Sequence, residues 1–207
     1  MIGVILAAGM AKRLRPLTDT KPKCLLKVGE RTLLERTVAA MAAAGITEFV
    51  VVTGYRAEMI KDFLENLDNL DNLDNLESLG NPKFTFLHNA DYEHNNNIYS
   101  LWMAGQAVRG KEFLLMDSDI LCDPAAVLRI ANEKEAALAV NRHELGEEEM
   151  KVVVDDALRI TEISKTCRPE DAMGESVGIE KMTVAYSEAL FRELDQMILN
   201  EGLIDIF

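Results

Sequence analysis

Residues 6–28 read Leu-Ala-Ala-Gly-Met-Ala-Lys-Arg-Leu-Arg-Pro-Leu-Thr-Asp-Thr-Lys-Pro-Lys-Cys-Leu-Leu-Lys-Val, and the reading of the 207-residue chain starts there. An apolar, strand-like run over 2–6 leads into Ala7, Ala8 and Gly9. Lys12, Arg13, Arg15, Lys21, Lys23 and Lys27 follow, with one carboxylate, Asp19, among them. Small residues let backbone N–H groups close on a ligand, and clustered Lys and Arg neutralise phosphate oxygens. In a chain of formal net charge −13 this loop is a local exception scaled for a small anion. A polyphosphate is the simplest such ligand. The loop has no second glycine followed by Lys and Ser/Thr, so it is not a Walker loop. No glycine follows Gly9 before Gly29, which rules out the dinucleotide fingerprint.

Outward from this loop, strand and helix signals alternate. Residues 32–44 are good helix formers stopped by Gly45, and 48–53 reads as a second buried strand ending at Gly54 and Tyr55. A helix over 57–64, a strand over 84–87, a helix over 97–108 and a strand over 112–116 follow. Pro124 opens a helix over 124–133. Strands over 136–140, 151–154 and 160–163 and a helix over 187–200 complete the chain. This alternation predicts one α/β domain of three layers, with ligands at the carboxyl ends of the strands. The loops after Leu6, Thr53 and Met116 then meet on one edge. Residues 66–77 repeat Asn-Leu-Asp three times and end in Asn-Leu-Glu; this acidic period of three reads as a solvated insertion or a helical extension.

Composition narrows the class. A hydrophobic fraction of 48% and a charged fraction of 28% describe a globular protein with a substantial core. No apolar run reaches the roughly 18 residues of a membrane span. The acidic balance argues against nucleic acid as a partner. Cys24, Cys122 and Cys167 are widely spaced and odd in number, as expected of reduced thiols in a cytoplasm. A homodimer is compatible with this composition.

After the fourth strand comes Met116-Asp117-Ser118-Asp119. Carboxylates at i and i+2 past a buried strand point the same way, and can hold a hard cation such as Mg²⁺. Asp-x-Asp alone is equally a capping or turn motif. At the strand end facing a Lys/Arg loop, the metal is the better reading.

The loop resembles the signature of nucleotidyltransferases that activate phosphorylated sugars and alcohols, Leu-Ala-Ala-Gly-x-Gly-x-Arg-Leu-x-Pro-Leu-Thr followed by Pro-Lys. Leu6 to Gly9, Arg13, Leu14, Pro16 to Thr18, Pro22 and Lys23 match; Ala11 stands where the family has its second glycine. Alanine tolerates positive φ poorly, so the loop is expected to sit somewhat differently. The resemblance implies a Rossmann-like, GT-A-like fold with a mostly parallel mixed sheet. It also implies that Leu6, Ala7, Ala8, Gly9, Met10, Ala11 and Lys12 surround a nucleotide with Gly54, Tyr55 and Asp117. Arg13 grips the outer phosphates, Lys23 neutralises charge between the two substrates, and Asp119 binds Mg²⁺.

The stretch Asn89-Ala-Asp-Tyr-Glu-His-Asn-Asn-Asn-Ile-Tyr-Ser-Leu-Trp is similar to Asn-x-x-Tyr…Asn-Asn-x-Tyr-Ser-Leu of the phosphocholine cytidylyltransferase branch. Asn96, Asn97 and Ser100 then offer hydrogen bonds at a helix N-terminus, and Tyr99 and Trp102 are either site or core aromatics. Asp205 and Phe207 match that branch's carboxylate–aromatic pair for an ammonium head. Its tryptophan is missing near Glu149-Met150-Lys151, which favours a primary amine or a polyol phosphate, with Lys151 facing the second substrate's phosphate. The branch's second metal-binding aspartate and closing helix also lack a counterpart, so the chain is expected to be a single domain short of a C-terminal segment. The leading expectation is CTP- and Mg²⁺-dependent cytidylyl transfer to a small phospho- or phosphono-alcohol or amine. The alternatives are a sugar-1-phosphate nucleotidyltransferase using UTP or dTTP, and an inactive nucleotide sensor.

Overall fold

In the computed structural model, which describes residues 1–67 and 81–205, the first strand lies inside the sheet, with a parallel neighbour on each side. In chain order the elements begin with β1 (Ile2–Ala7), a short hairpin of β2 (Lys27–Val28) and β3 (Arg31–Thr32), α1 (Leu33–Ala43), β4 (Glu48–Thr53) and α2 (Ala57–Glu65). Then come β5 (Lys83–His88), α3 (Asn97–Val108), β6 (Phe113–Asp117), α4 (Pro124–Ala131), β7 (Ala137–Asn141) and β8 (Lys151–Val154). The chain closes with β9 (Ile160–Ser164), β10 (Gly174–Met182) and α5 (Val184–Asp195), followed by a π-helical turn at Gln196–Asn200. The repeat at 66–77 lies outside the described residues except for Asn66 and the buried Leu67, and Phe207 lies outside them altogether.

The eight-stranded sheet runs β5-β4-β1-β6-β10-β8-β9, with β7 also paired to β10. β1 is parallel to β4 and to β6, and β4 is parallel to β5. The strands beyond β6 pair antiparallel. Alternate residues of the parallel strands feed two cores, as the two-residue pleat requires. Ile5, Phe49, Val51, Leu114 and Met116 pack with Leu34, Val38 and Met41 of α1, Ile60 and Leu64 of α2, and Val127 of α4. Val4, Leu6, Val50, Val52, Phe113 and Leu115 pack with Ala104 and Val108 of α3 and Phe191 and Leu194 of α5. Helices thus cover both faces of a mixed α/β sheet, and no described helix is long and apolar enough to cross a membrane.

Local chemistry explains most boundaries. Thr32 caps α1 with its hydroxyl on the Glu35 amide, and Glu35 returns a bond to the Thr32 amide, a full capping box. Asp123 caps α4 ahead of Pro124, and Thr183 caps α5, so that helix starts at Val184, three residues before the expected position. Besides the short β2–β3 hairpin, the strand that sequence reading missed is β10, which fills the gap between the parallel half of the main sheet and the outer strands. Its sequence, Gly-Glu-Ser-Val-Gly-Ile-Glu-Lys-Met, carries two glycines and three charges and has no apolar run. Lys181 is tolerated there because its buried ammonium donates to the Ala131 and Glu133 carbonyls, at 3.1 and 2.5 Å.

Gly105 lets α3 approach α5: a Cβ on it would lie 2.7 Å from the Phe191 ring. Alanine raises helix propensity by about 1 kcal/mol, but overpacking a buried ring costs about 1–3 kcal/mol. The clash wins. Gly105→Ala is expected to destabilise the protein by about 1 kcal/mol net, read from the urea midpoint at unchanged m-value.

Candidate functional site

At the carboxyl edge of the parallel strands, β1 hands its chain to the cationic loop. The Ala8 carbonyl accepts from the Tyr55 amide at 2.9 Å, and the Leu6 carbonyl accepts from the Ser118 amide at 3.3 Å. The ends of β1, β4 and β6 therefore meet, as the alternation of elements predicted. Gly54 is required for this approach, since a Cβ there would lie 2.7 Å from the Ala8 carbonyl oxygen and 2.8 Å from Tyr92. Beyond Gly9, residues Lys12–Leu14 make a single 3₁₀ turn with Lys12, Arg13 and Leu14 exposed. The loop is closed on itself by the Thr18 hydroxyl, which donates to the Ala11 carbonyl at 3.1 Å. A latch from β4's end holds it down: the Tyr55 hydroxyl bonds the Thr18 and Asp19 carbonyls at 2.9 and 3.0 Å, and Arg56 donates to the Asp19 carbonyl at 2.8 Å.

Ala11 takes the left-handed conformation, with φ +48° and ψ +50°. The loop thus keeps a glycine-like backbone in spite of the alanine. An alanine costs about 1–2 kcal/mol there. Relief of that strain exceeds the extra chain entropy a glycine brings to the unfolded state, so Ala11→Gly is expected to raise stability by up to about 1 kcal/mol; thermal melting tests it.

The cations divide in two. Arg13 is 85% exposed and 3.9 Å from Glu148, itself 78% exposed, so solvent screens this pair and leaves the guanidinium available. Lys23, in a second 3₁₀ turn at Lys23–Leu25, forms an ion pair with Asp119. That contact joins the loop after β1 to the loop after β6. Asp119 thus lies where the sequence placed it, and Lys23 reaches it. Asp117, the last residue of β6, turns toward β10, so that a Cβ on Gly178 would lie 2.6 Å from its Oδ2. Burial raises the Asp117 carboxyl from 3.8 to about 6, against the pull of Lys23. Glu180, two residues along β10 from Gly178, is raised from 4.5 to about 7 by burial and then by the charge on Asp117. Sequence reading missed Glu180, because a lone carboxylate in an unrecognised strand carries no signal. Gly178-Ile179-Glu180 is legible only once β10 is set beside Asp117.

Other expected residues fall into structural roles. Lys151 is 1% exposed, and its ammonium donates to the Lys165 carbonyl at 2.8 Å, tying β8 to the segment after β9. Ser100 is buried and accepts from the Asn89 side chain at 3.1 Å, while Asn97 is exposed. The Asn96 side chain donates to Asp205 at 2.8 Å and its amide to the Ile204 carbonyl at 2.9 Å, so the C-terminal segment docks on the start of α3. Trp102 packs against the core and donates its indole N–H to Asp195, which also holds Arg109. Cys24 is buried, its thiol pushed up to about 12, and all three cysteines are free. Among the described residues no three His, Cys, Asp or Glu gather as a metal cage.

The raised carboxyls set a pH dependence. Folded Asp117 and Glu180 hold protons to about 6 and about 7, whereas the unfolded chain releases them near 3.8 and 4.5. The native state binds more protons in this window, so stability falls as pH rises through it. Glu180→Gln is expected to gain on the parent by about 2 kcal/mol between about pH 5 and pH 8, measured by urea unfolding at both values.

Comparison with known proteins adds to this geometry. The family described as nucleotidyl transferase matches residues 2–163. The CTP:phosphoglutamine cytidylyltransferase of Campylobacter jejuni is 27% identical over 140 residues, covering 65% of this chain and 50% of that protein. The mannose-1-phosphate guanyltransferase of Kluyveromyces lactis is 31% identical over 125 residues, covering 59% of this chain and 32% of that protein. The chain therefore spans half the length or less of these two relatives. The solved CTP:phosphocholine cytidylyltransferase of Streptococcus pneumoniae shares the fold, with a TM-score of 0.75 at 22% identity over 99% of this chain and 81% of that one.

Proposed function

The chain belongs to the nucleotidyl transferase family, and on that premise we propose that it transfers a cytidylyl group from CTP to a small phosphorylated or phosphonate-bearing alcohol or amine. The observation that carries this reading is the meeting of the cationic loop with the carboxylates after β6, at Lys23 and Asp119. Both reactants are anions, so the protein's main work is to hold them in line and screen their repulsion. Arg13 and Lys12, exposed on the loop, suit the outer phosphates of the triphosphate. The Ala7–Ala11 backbone, with open space over Gly9, offers the close approach a nucleotide needs. A phosphate or phosphonate oxygen of the acceptor attacks the α-phosphorus, the bond to the β-phosphate oxygen breaks, and pyrophosphate leaves. The attacking oxygen is already ionised, so no general base is called for.

The donor set fits Mg²⁺. Asp119 presents a partly exposed carboxylate already holding one cation, the Lys23 ammonium, whose charge also acts on Asp117. Mg²⁺ is commonly bound through one or two carboxylates plus substrate phosphates and water, without an all-protein cage. When bound, the ion screens phosphate charge and orients the oxygens. A cation held by Asp119 would replace the Lys23 ammonium there, and Lys23 would then serve the acceptor's phosphate. The choice of CTP and of an amine- or alcohol-type acceptor rests on the similarity to the cytidylyltransferases and on the Asn89–Trp102 stretch. The guanyltransferase similarity favours a second reading, a sugar-1-phosphate acceptor with a different base.

Pyrophosphate release separates the readings: CTP, UTP, GTP and dTTP, each with phosphocholine, 2-aminoethylphosphonate, inositol 1-phosphate, glucose 1-phosphate and mannose 1-phosphate. Turnover is expected with CTP and an amine or polyol acceptor. Turnover confined to a sugar phosphate moves the protein to the sugar branch, and nucleotide binding without any turnover makes it a sensor. Lys23→Ala is expected to lower kcat/KM by about 10²–10³-fold; Asp119→Asn is expected to raise the Mg²⁺ concentration needed for half-maximal rate by about tenfold or more.

A further inference from the structure

Past the ends of β4 and β5, on the side of β1 away from Asp119, two tyrosines stand near the basic loop. Tyr55 is already committed. Its hydroxyl latches the Thr18 and Asp19 carbonyls, and the Arg56 guanidinium lies over its ring, 5.4 Å from the centroid. Tyr92 is half-buried and meets Tyr55 in a T-shaped contact, ring centroids 6.3 Å apart. A Cβ on Gly54 would touch both the Tyr92 Cβ, at 2.8 Å, and the Ala8 carbonyl oxygen, at 2.7 Å. Tyr92 therefore borders the Ala8–Gly9 turn, where nothing lies within 4 Å of a Cβ on Gly9. The loop that carries Tyr92 is braced from inside by Asn89, which is 1% exposed. Asn89 Nδ2 donates to Asn95 Oδ1 at 2.8 Å and to Ser100 Oγ at 3.1 Å. Its Oδ1 accepts from the Asp91 amide at 3.1 Å and from Asn95 Nδ2 at 3.2 Å. Both donors and both lone pairs of a buried amide are thus used, and Asn95 also donates to the Asp91 carbonyl at 2.7 Å.

We propose that Tyr92 is the platform on which the nucleotide's base stacks, and that the Asn89–Asn95 amide pair is the device that positions it. This rests on the reading of the basic loop as a nucleotide site. Transfer in line at the α-phosphorus sets the acceptor and the pyrophosphate on opposite sides, so the nucleoside leaves in a third direction. Lys23 and Asp119 at the end of β6 serve the acceptor side, and Arg13 serves the outer phosphates. The remaining flank, at the ends of β4 and β5, is the one that presents an aromatic ring. Stacking on such a ring is open to every base, so Tyr92 holds the nucleoside without choosing among bases. Asn96 and Ser100, expected to touch the nucleotide, are instead bonded to Asp205 and Asn89. Asn89 and Asn95 act one step back, since a binding side chain on a loop keeps its place only when the loop itself is supported.

The full chain is titrated by calorimetry with CTP and with inorganic tripolyphosphate, Mg²⁺ present and acceptor absent. CTP is expected to bind the parent about tenfold or more tighter than tripolyphosphate. Tyr92→Ala is expected to lose about tenfold or more of the CTP affinity and to keep its affinity for tripolyphosphate, which shows the basic loop still folded. Tyr92→Phe is expected to keep both. Asn95→Ala, which breaks the amide pair, is expected to lower the ratio of CTP to tripolyphosphate affinity severalfold, a selective loss that a general weakening of the fold does not give. Equal affinity of the parent for the two ligands overturns the proposal, as does an unchanged ratio in Tyr92→Ala or a lost ratio in Tyr92→Phe. A parent-like ratio in Asn95→Ala overturns the positioning role. Selective loss in Tyr92→Ala from a protein that turns over no acceptor upholds the platform and sinks the transfer reaction alone.

Discussion

The two parallel ladders that β1 shares with β4 and β6 are the constraint on which the other features depend. Ile5 stands opposite Val51 on one side and Met116 on the other, so the three strands end at the same level. The hydrogen bonds just past them, Ala8 with Tyr55 and Leu6 with Ser118, carry the alignment into the loops. A one-residue slip would turn every strand side chain to the opposite face, exchanging the α1 and α3 cores. The same slip would move Asp119 away from Lys23. Packing and site geometry are thus fixed by one set of backbone bonds.

Around that frame the site accumulates features that oppose stability. Ala11 and Arg56 hold left-handed backbone on either side of the loop–latch contact. Asp117 and Glu180 bring like charges together in a poorly solvated place. Such features persist only where surrounding structure over-determines them, and here two well-packed cores do so.

Much of this was legible from residues. Apolar runs marked β1, β4 and β6, Gly45 marked the end of α1 and Pro124 the start of α4, and the Lys/Arg loop with the paired aspartates marked the edge where Lys23 and Asp119 meet. The illegible parts share a physical cause: they depend on partners distant in sequence. β10 is a strand because its neighbours need one; its Lys181 is accommodated by the Ala131 and Glu133 carbonyls at the end of α4, and its Glu180 gains its raised carboxyl only beside Asp117. Lys151 reads as a ligand for the second substrate's phosphate until the Lys165 carbonyl is set over it. Ser100 and Asn96 read as free donors until Asn89 and Asp205 engage them. Tertiary contacts decided these roles, and no local pattern encodes them.

The latch on the basic loop bears on how the chain meets a trypsin-like protease. A protease of that specificity needs several residues drawn out in extended form, and exposed loop tips usually supply them. Here the densest run of Lys and Arg is folded into a 3₁₀ turn, cinched by Thr18 onto Ala11 and roofed by Tyr55 and Arg56. Arg15 and Lys21 each precede a proline, a poor scissile bond. The stretch richest in cleavage residues is thereby among the worst placed to be cut, and its digestibility reports whether the tyrosine roof is on.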